Sequence, residues 1–284
     1  MNKHYLDAFI TNALQEDIGD GDITSLACIP ENKYGTAQLV IKQKGILAGV
    51  ETAHYIFKKF DNSLNINILI NDGNKVNNGD IVLIAEGKVI SILQTERLVL
   101  NIMQRMSGIA TSTDMYVQKL AGLKTRILDT RKTTPGMRFL EKEAVRIGGG
   151  QNHRMGLYDM VLIKDNHIDF AGGIEQAINK VTDFFKRNNK TTEVIIEARN
   201  ISDVEKIITV GGINRILLDN FSVDLTREAV KLINGNYETE SSGGITLENI
   251  REYAECGVDY VSVGALTHHV KSLDMSLIAT NDNQ

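Results

Sequence analysis

The chain has 284 residues, a formal net charge of −5, 42 % hydrophobic residues and 24 % charged residues. That length holds one large domain or two smaller ones with a sizeable buried core. The acidic balance and the lack of a basic stripe with interleaved aromatics argue against nucleic-acid binding. No apolar run approaches the ~18 residues of a membrane-spanning helix, so no membrane association is expected. The start, Met1 to Asp7, is polar and has no apolar core of the signal-peptide kind. Cys28 and Cys256 lie far apart without CxxC companions and read as reduced thiols. A cytoplasmic protein is expected.

His4 to Glu16 reads as a helix with Leu6, Phe9, Ile10, Ala13 and Leu14 on one face. Asp17 to Asp22 follows, dense in acids and glycines. It is either a cation site or, since its spacing misses the EF-hand pattern, a turn-rich connection. Strands are predicted at 37–42, 64–68 and 81–85, with a helix over 51–60. Asn71-Asp72-Gly73 and Asn78-Gly79-Asp80 are turn signals. A long helix is predicted over 93–120, with Leu98, Ile102, Met106 and Ile109 as its apolar stripe. On spacing alone Arg97 is an exposed helical arginine.

From Thr125 the pattern changes. Short apolar segments at 126–128, 160–163, 194–196, 216–218, 237–241 and 260–263 alternate with helix-like sequence, the signature of βα units around a parallel sheet. The fold class expected is α/β: an N-terminal α+β sandwich domain over 1–109, then an incomplete TIM-like (β/α) barrel over 110–284. In such barrels chemistry sits at the C-terminal strand ends. Those ends carry Asp129, Lys164, Glu197, Asp219 and Ser242-Gly243, a convergence that suits a catalytic mouth.

Asp129 to His167 concentrates cations in an acidic chain: Arg131, Lys132, Arg138, Arg146, His153, Arg154 and Lys164, with three glycines at 148–150. This suggests a pocket for a small, multiply charged anion. Glu197 and Asp219 could hold Mg2+ beside a substrate phosphate. Ser242-Gly243-Gly244 and Val263-Gly264-Ala265 are candidate phosphate turns. Lys164 could form a Schiff base, but its neighbour Asp165 favours a charged clamp. No P-loop and no Ser/His/Asp or Cys/His arrangement is legible.

Glu96-Arg97, Ser107 to Thr111, Asp129 to Thr133, Gly148 to Gly150, Asn152 to Arg154, Ile163 to His167, Leu218 to Asn220, Glu240 to Gly244 and Val263 to His268 together resemble quinolinate phosphoribosyltransferases, in order and over nearly the whole chain. One departure is visible. Where that family often alternates acids and valines, this chain has Glu193-Val194-Ile195-Ile196-Glu197, and only Glu197 falls at the expected place.

The resemblance implies that quinolinate and phosphoribosyl pyrophosphate give nicotinate mononucleotide, pyrophosphate and CO2 with Mg2+, in de novo NAD biosynthesis. It assigns Arg131, Lys132, His153, Arg154 and Lys164 to the quinolinate carboxylates, with Thr130 and His268 also touching substrate. It assigns Glu197 and Asp219 to Mg2+ and the ribose. The 5′-phosphate falls to Ser242, Gly243, Gly244, Val263, Gly264 and Ala265. Lys132, Lys164, Glu197 and Asp219 would be the catalytic groups. A homodimer, or a hexamer as a trimer of dimers, is implied, with Arg97 reaching the neighbouring subunit's site. The alternatives are a phosphoribosyltransferase for another heterocyclic acid, a Schiff-base aldolase using Lys164, and a non-catalytic anion-binding barrel.

Overall fold

The computed structural model describes residues 3–280. They form two compact units that interleave along the chain. One takes residues 3–114, 134–149 and 269–280; the other takes 115–133 and 150–268.

The first unit opens with α1 (Lys3–Ile18), which buries Leu6 and Ile10 one turn apart. The acidic run after it is a helix end and a cap rather than a ligand cluster. Gly19 and Gly21 adopt positive φ, and the Asp22 carboxylate accepts the Ser25 N–H at 3.0 Å to start α2 (Ile23–Cys28). The Ser25 hydroxyl, and next that backbone N–H, hold the Asp22 carboxyl below the usual range.

β1 (Tyr34–Ile41), β2 (Gly45–Ile46), α3 (Val50–Phe60), β3 (Asn65–Ile68), β4 (Lys75–Val76) and β5 (Ile81–Lys88) follow. α4 (Val89–Lys119) then runs 31 residues. It buries Ile92, Val99, Met103, Met106 and Ile109, an i, i+3, i+4 stripe. Its Ser-Gly-Ile-Ala-Thr segment is a docking strip within this unit. Ser107 Oγ and Thr111 Oγ1 accept the N–H groups of Ala48 and Ile46, both at 2.9 Å. Gly108 has no room for a side chain, because an added Cβ would lie 2.3 Å from the Lys271 carbonyl.

β6 (Arg126–Leu128) starts the parallel sheet, but the next helix, α5 (Arg138–Ile147), groups with the first unit. There Arg105 of α4 holds it: Nε donates to Glu141 Oε1 and Nη2 to Thr134 Oγ1, each at 2.8 Å.

The second unit continues with β7 (Val161–Ile163), α6 (Asp165–Ala171), α7 (Ile174–Asn188), β8 (Val194–Ala198), α8 (Ile201–Val210), β9 (Arg215–Asp219), α9 (Val223–Ile233), β10 (Glu238–Ser242), α10 (Ile250–Glu255), β11 (Tyr260–Ser262) and α11 (Ala265–His268). Its six strands run parallel in the order β6-β11-β10-β9-β8-β7. Leu128 also bridges Gln151, but β6 and β7 do not pair among the described residues, so the barrel is incomplete. β8 is buried along its whole length, as a strand covered on both faces must be.

The chain ends its described course in β12 (Met275–Thr280), which returns to the first unit and pairs antiparallel with β1. That unit's main sheet has the order β12-β1-β5-β3, beside a two-stranded β2-β4 ribbon. No described helix is long and apolar enough to cross a membrane.

Candidate active site

Strand register places the chemistry of the second unit. Arg215 pairs with Ile195 and Glu238, Leu217 with Glu197 and Glu240, and Asp219 with Ser242. Side chains two residues apart share a face. Glu197, Asp219 and Ser242 therefore point to the same side of the sheet, with Asp219 and Ser242 at the C-terminal ends of β9 and β10. Glu240 lies one layer deeper on that face, and Arg215 with Glu238 one layer below it.

Lys164 follows β7, and its ammonium lies 2.5 Å from Glu197 Oε1. Glu197 Oε2 accepts the Asp165 N–H at 3.1 Å. The carboxylate paired with Lys164 is thus Glu197 and not Asp165, whose own Oδ1 accepts the Asn166 N–H. A lysine held in such an ion pair is a clamp; a Schiff-base nucleophile would have to be neutral. At the β9 end, Asp219 Oδ2 accepts the Asn220 amide at 2.9 Å.

The cations assemble around Asp129, which is fully buried at the end of β6. Its two oxygens accept the His153 N–H at 2.8 Å and the Asn152 amide at 2.6 Å, which ties residues 152–154 to the strand end. Arg154 is buried, and its Nη1 donates to the Met160 carbonyl. Burial, and next the positive charge of Arg131, pull the Arg154 guanidinium below the ordinary arginine range. A buried guanidinium with a second cation nearby suits an anion. Thr130 Oγ1 accepts the Lys132 N–H at 3.0 Å and shapes that turn.

The glycine turns differ from expectation in one respect. Gly243 and Gly244 have φ of +92° and +63°, but α10 begins only at Ile250. The candidate cradle is the turn itself rather than a helix start. A side chain on Gly243 would lie 2.2 Å from Asn220 Oδ1. At the other turn, Gly264 approaches both Lys132 and His268: an added Cβ would stand 3.1 Å from Lys132 Cδ and 2.9 Å from His268 Nε2. Val263 is buried beneath.

Two cations of the expected cluster fold into the first unit instead, where Arg97 also lies, exposed on α4. Arg138 and Arg146 belong to α5, where Arg146 is matched by Glu143 at 2.6 Å, a contact that also holds the Glu143 carboxyl low. Their side chains go to that helix because the chain leaves the barrel between β6 and β7.

The sequence reading missed Glu240. It is fully buried, with Oε2 3.0 Å from Arg215 Nη1 and 3.5 Å from His153 Nε2. Burial alone would raise its carboxyl, but His153, the Ser262 hydroxyl and Arg215 outweigh that and bring it below the usual carboxylate range. Arg215 also bonds Glu238 and lies 3.9 Å from the Tyr260 ring centroid. The available signal was Glu238-Thr239-Glu240: acids two apart on a strand share a face and, in a core, require a cation.

The chain matches the quinolinate phosphoribosyl transferase C-terminal domain over residues 109–278 and the N-terminal domain over 22–107. It is 47 % identical to quinolinate phosphoribosyltransferase (decarboxylating) 1b of Nicotiana tabacum, over 96 % of this chain and 81 % of that protein. It is 40 % identical to the probable nicotinate-nucleotide pyrophosphorylase (carboxylating) of Bacillus subtilis strain 168, over 100 % of this chain and 96 % of that one. The crystal structure of NadC from Streptococcus pyogenes superposes with a TM-score of 0.92 at 35 % identity, covering 99 % of each chain. The chain belongs to the quinolinate phosphoribosyltransferase family.

Proposed function

We propose that this chain transfers the phosphoribosyl group of phosphoribosyl pyrophosphate to quinolinate and releases CO2, giving nicotinate mononucleotide and pyrophosphate for de novo NAD biosynthesis. One observation carries the residue assignment. The buried Arg154, carried on a segment that Asp129 ties to the end of β6, lies in the same unit whose strand ends carry Lys164, Glu197 and Asp219. A guanidinium fork binds a carboxylate bidentately, and a dianion suits a site that gathers several cations. Arg131, Arg154 and Lys164 take the quinolinate carboxylates, while His153, whose ring nitrogens face the Arg154 N–H and Glu240, supports them from behind. Gly264 and His268 face the phosphoribosyl pyrophosphate, and Lys132, which meets them at the same turn, stands between it and the quinolinate carboxylates. Gly243 and Gly244 offer the 5′-phosphate their backbone N–H groups.

In the transfer, the ring nitrogen of quinolinate forms a bond to the ribosyl carbon as the bond to pyrophosphate breaks. Positive charge develops on the sugar, and Glu197 and Asp219 are the carboxylates placed to stabilise it. As CO2 departs, the electron pair of the broken bond stays on the ring carbon, stabilised by the adjacent positive ring nitrogen, and that carbon then takes a proton.

Mg2+ suits this site as a partner of the substrate rather than as a resident ion. No group of three or more His, Cys, Asp or Glu residues that could hold a metal occurs among the described residues. Mg2+ commonly takes only one or two carboxylates and completes its shell with phosphate oxygens and water. Asp219 is the better ligand, because Lys164 and the Asp165 N–H already engage both oxygens of Glu197. The ion would neutralise the pyrophosphate as it leaves.

A homodimer, alone or three to a hexamer, with Arg97 completing the neighbour's quinolinate pocket, and a cytoplasmic setting belong to the same proposal. Exposure of Arg97 leaves it available for that role. The test is incubation with quinolinate, phosphoribosyl pyrophosphate and Mg2+, with products identified by mass spectrometry. Nicotinate mononucleotide should appear only when all three are present. Its absence would overturn the assignment.

A further inference from the structure

Glu240 sits inside the barrel, one layer beneath Asp219 and Ser242, with His153 Nε2 3.5 Å from its Oε2. We propose that it is a positioning residue: it holds the His153 imidazole in a single tautomer, and through that ring it fixes the backbone that carries Arg154. The proposal rests on the reading of Arg154 as a quinolinate clamp.

The argument begins at the far side of the ring. The Arg154 backbone N–H donates to His153 Nδ1 at 2.7 Å. A ring nitrogen can accept a hydrogen bond only through its lone pair, so Nδ1 carries no hydrogen and Nε2 carries one. That Nε2 hydrogen faces Glu240 Oε2, 3.5 Å away. In the other tautomer, two hydrogens would meet between Arg154 and the ring, and a lone pair would meet the carboxylate. Each end of the imidazole thus selects the same state, and the carboxylate is the end that supplies charge.

Glu240 is also an expensive way to fill space. Its Oε1 is buried without a hydrogen-bond partner, and an unsatisfied buried oxygen calls for a reason other than packing. Arg215 supports the charge from below through Nη1, while its Nε and Nη2 bond to the more exposed Glu238. With two carboxylates around one arginine, negative charge remains to attract the Nε2 hydrogen. Asp129 completes the arrangement by holding the His153 backbone N–H. Residues 153 and 154 are therefore fixed at the main chain from β6 and at the side chain from β10. A guanidinium meant to meet a carboxylate bidentately needs such a fixed base.

Two measurements test this. In wild-type protein labelled with 15N-histidine, a long-range imidazole spectrum assigned with the His153→Gln variant should show His153 protonated at Nε2. Protonation at Nδ1 would overturn the proposal. In steady-state kinetics, Glu240→Gln should raise the quinolinate KM on the order of tenfold, the scale of one lost hydrogen bond to a charged group. It should change the KM for phosphoribosyl pyrophosphate and kcat little. Combined with His153→Gln, it should add nothing to the effect of His153→Gln alone, since Glu240 acts through that ring. Additive losses would overturn the proposal. Should Glu240→Gln not fold, the wild-type spectrum still decides. A wild-type enzyme that makes no nicotinate mononucleotide yet shows the Nε2 tautomer would remove the reaction assignment and support the positioning geometry.

Discussion

Glu197→Gln should separate binding from chemistry in this site. In the free protein Glu197 occupies Lys164, the lysine proposed to meet a quinolinate carboxylate. Their atoms are 2.5 Å apart, with the Glu197 side chain 7 % exposed and that of Lys164 47 % exposed. Bare attraction at that distance and an effective dielectric of ~20 is about 6–7 kcal/mol. Solvent around the half-exposed ammonium and the cost of burying the carboxylate reduce the net value to about 1 kcal/mol. Quinolinate must compete with Glu197 for the lysine, so removing that charge should tighten quinolinate binding by about fivefold. A glutamine still accepts the Asp165 N–H, so the end of β7 and the start of α6 stay in place. Turnover should fall on the order of 100-fold, because the charge that opposes the developing ribosyl cation is gone. Calorimetric titration with quinolinate alone reads the first effect, and steady-state rates with saturating substrates read the second. A tenfold loss of quinolinate affinity with normal turnover would refute the reasoning, since Glu197 would then be a binding group.

Three further outcomes are expected. Arg131→Lys keeps the charge but loses the fork, so quinolinate affinity should drop by ~1.5–3 kcal/mol while that for phosphoribosyl pyrophosphate changes less, as calorimetry can check. Gly243→Ala must relieve a Cβ placed 2.2 Å from Asn220 Oδ1 at a φ of +92°, so thermal unfolding should show a loss of ~1–3 kcal/mol and the KM for phosphoribosyl pyrophosphate should rise. Mixing inactive Arg97→Ala with inactive Lys164→Ala under subunit exchange should restore part of the activity, because one site of the mixed dimer gathers both defects and the other is intact; zero activity after demonstrated exchange would remove Arg97 from the neighbour's site.

The barrel strands were legible because a parallel sheet covered on both faces demands continuous apolar runs, and the polar residues ending those runs mark the mouth. Glu197 and Asp219 stand at such ends. The clamp residues were legible as a cluster, but only in part. Arg138 and Arg146 look like members because they lie near Arg131 in sequence, yet α5 belongs to the other unit. Nothing local in 134–149 announces that exchange; it depends on Arg105 and Glu141, 36 positions apart. β12 was not read as a strand, because a short edge strand gains its identity from pairing with β1. Glu240 hid in a run read as plain strand, since its partner Arg215 comes from another strand and its meaning appears only with the register.

The pairing of β12 with β1 has a consequence for how the protein is made. Thr280 and Thr36 are neighbours across that ladder although 244 positions separate them in the chain. During synthesis β1 can pair with β5 early, but its other edge must wait until almost all of the second unit has left the ribosome. Through that interval the nascent chain carries an open row of N–H and C=O groups, a template for mispairing with any extended strand nearby. Long-range closure of this kind also slows folding, because the intervening chain must be gathered first. A chain that stops before Met275 would keep that edge permanently, so its expected fate is aggregation rather than a soluble first domain.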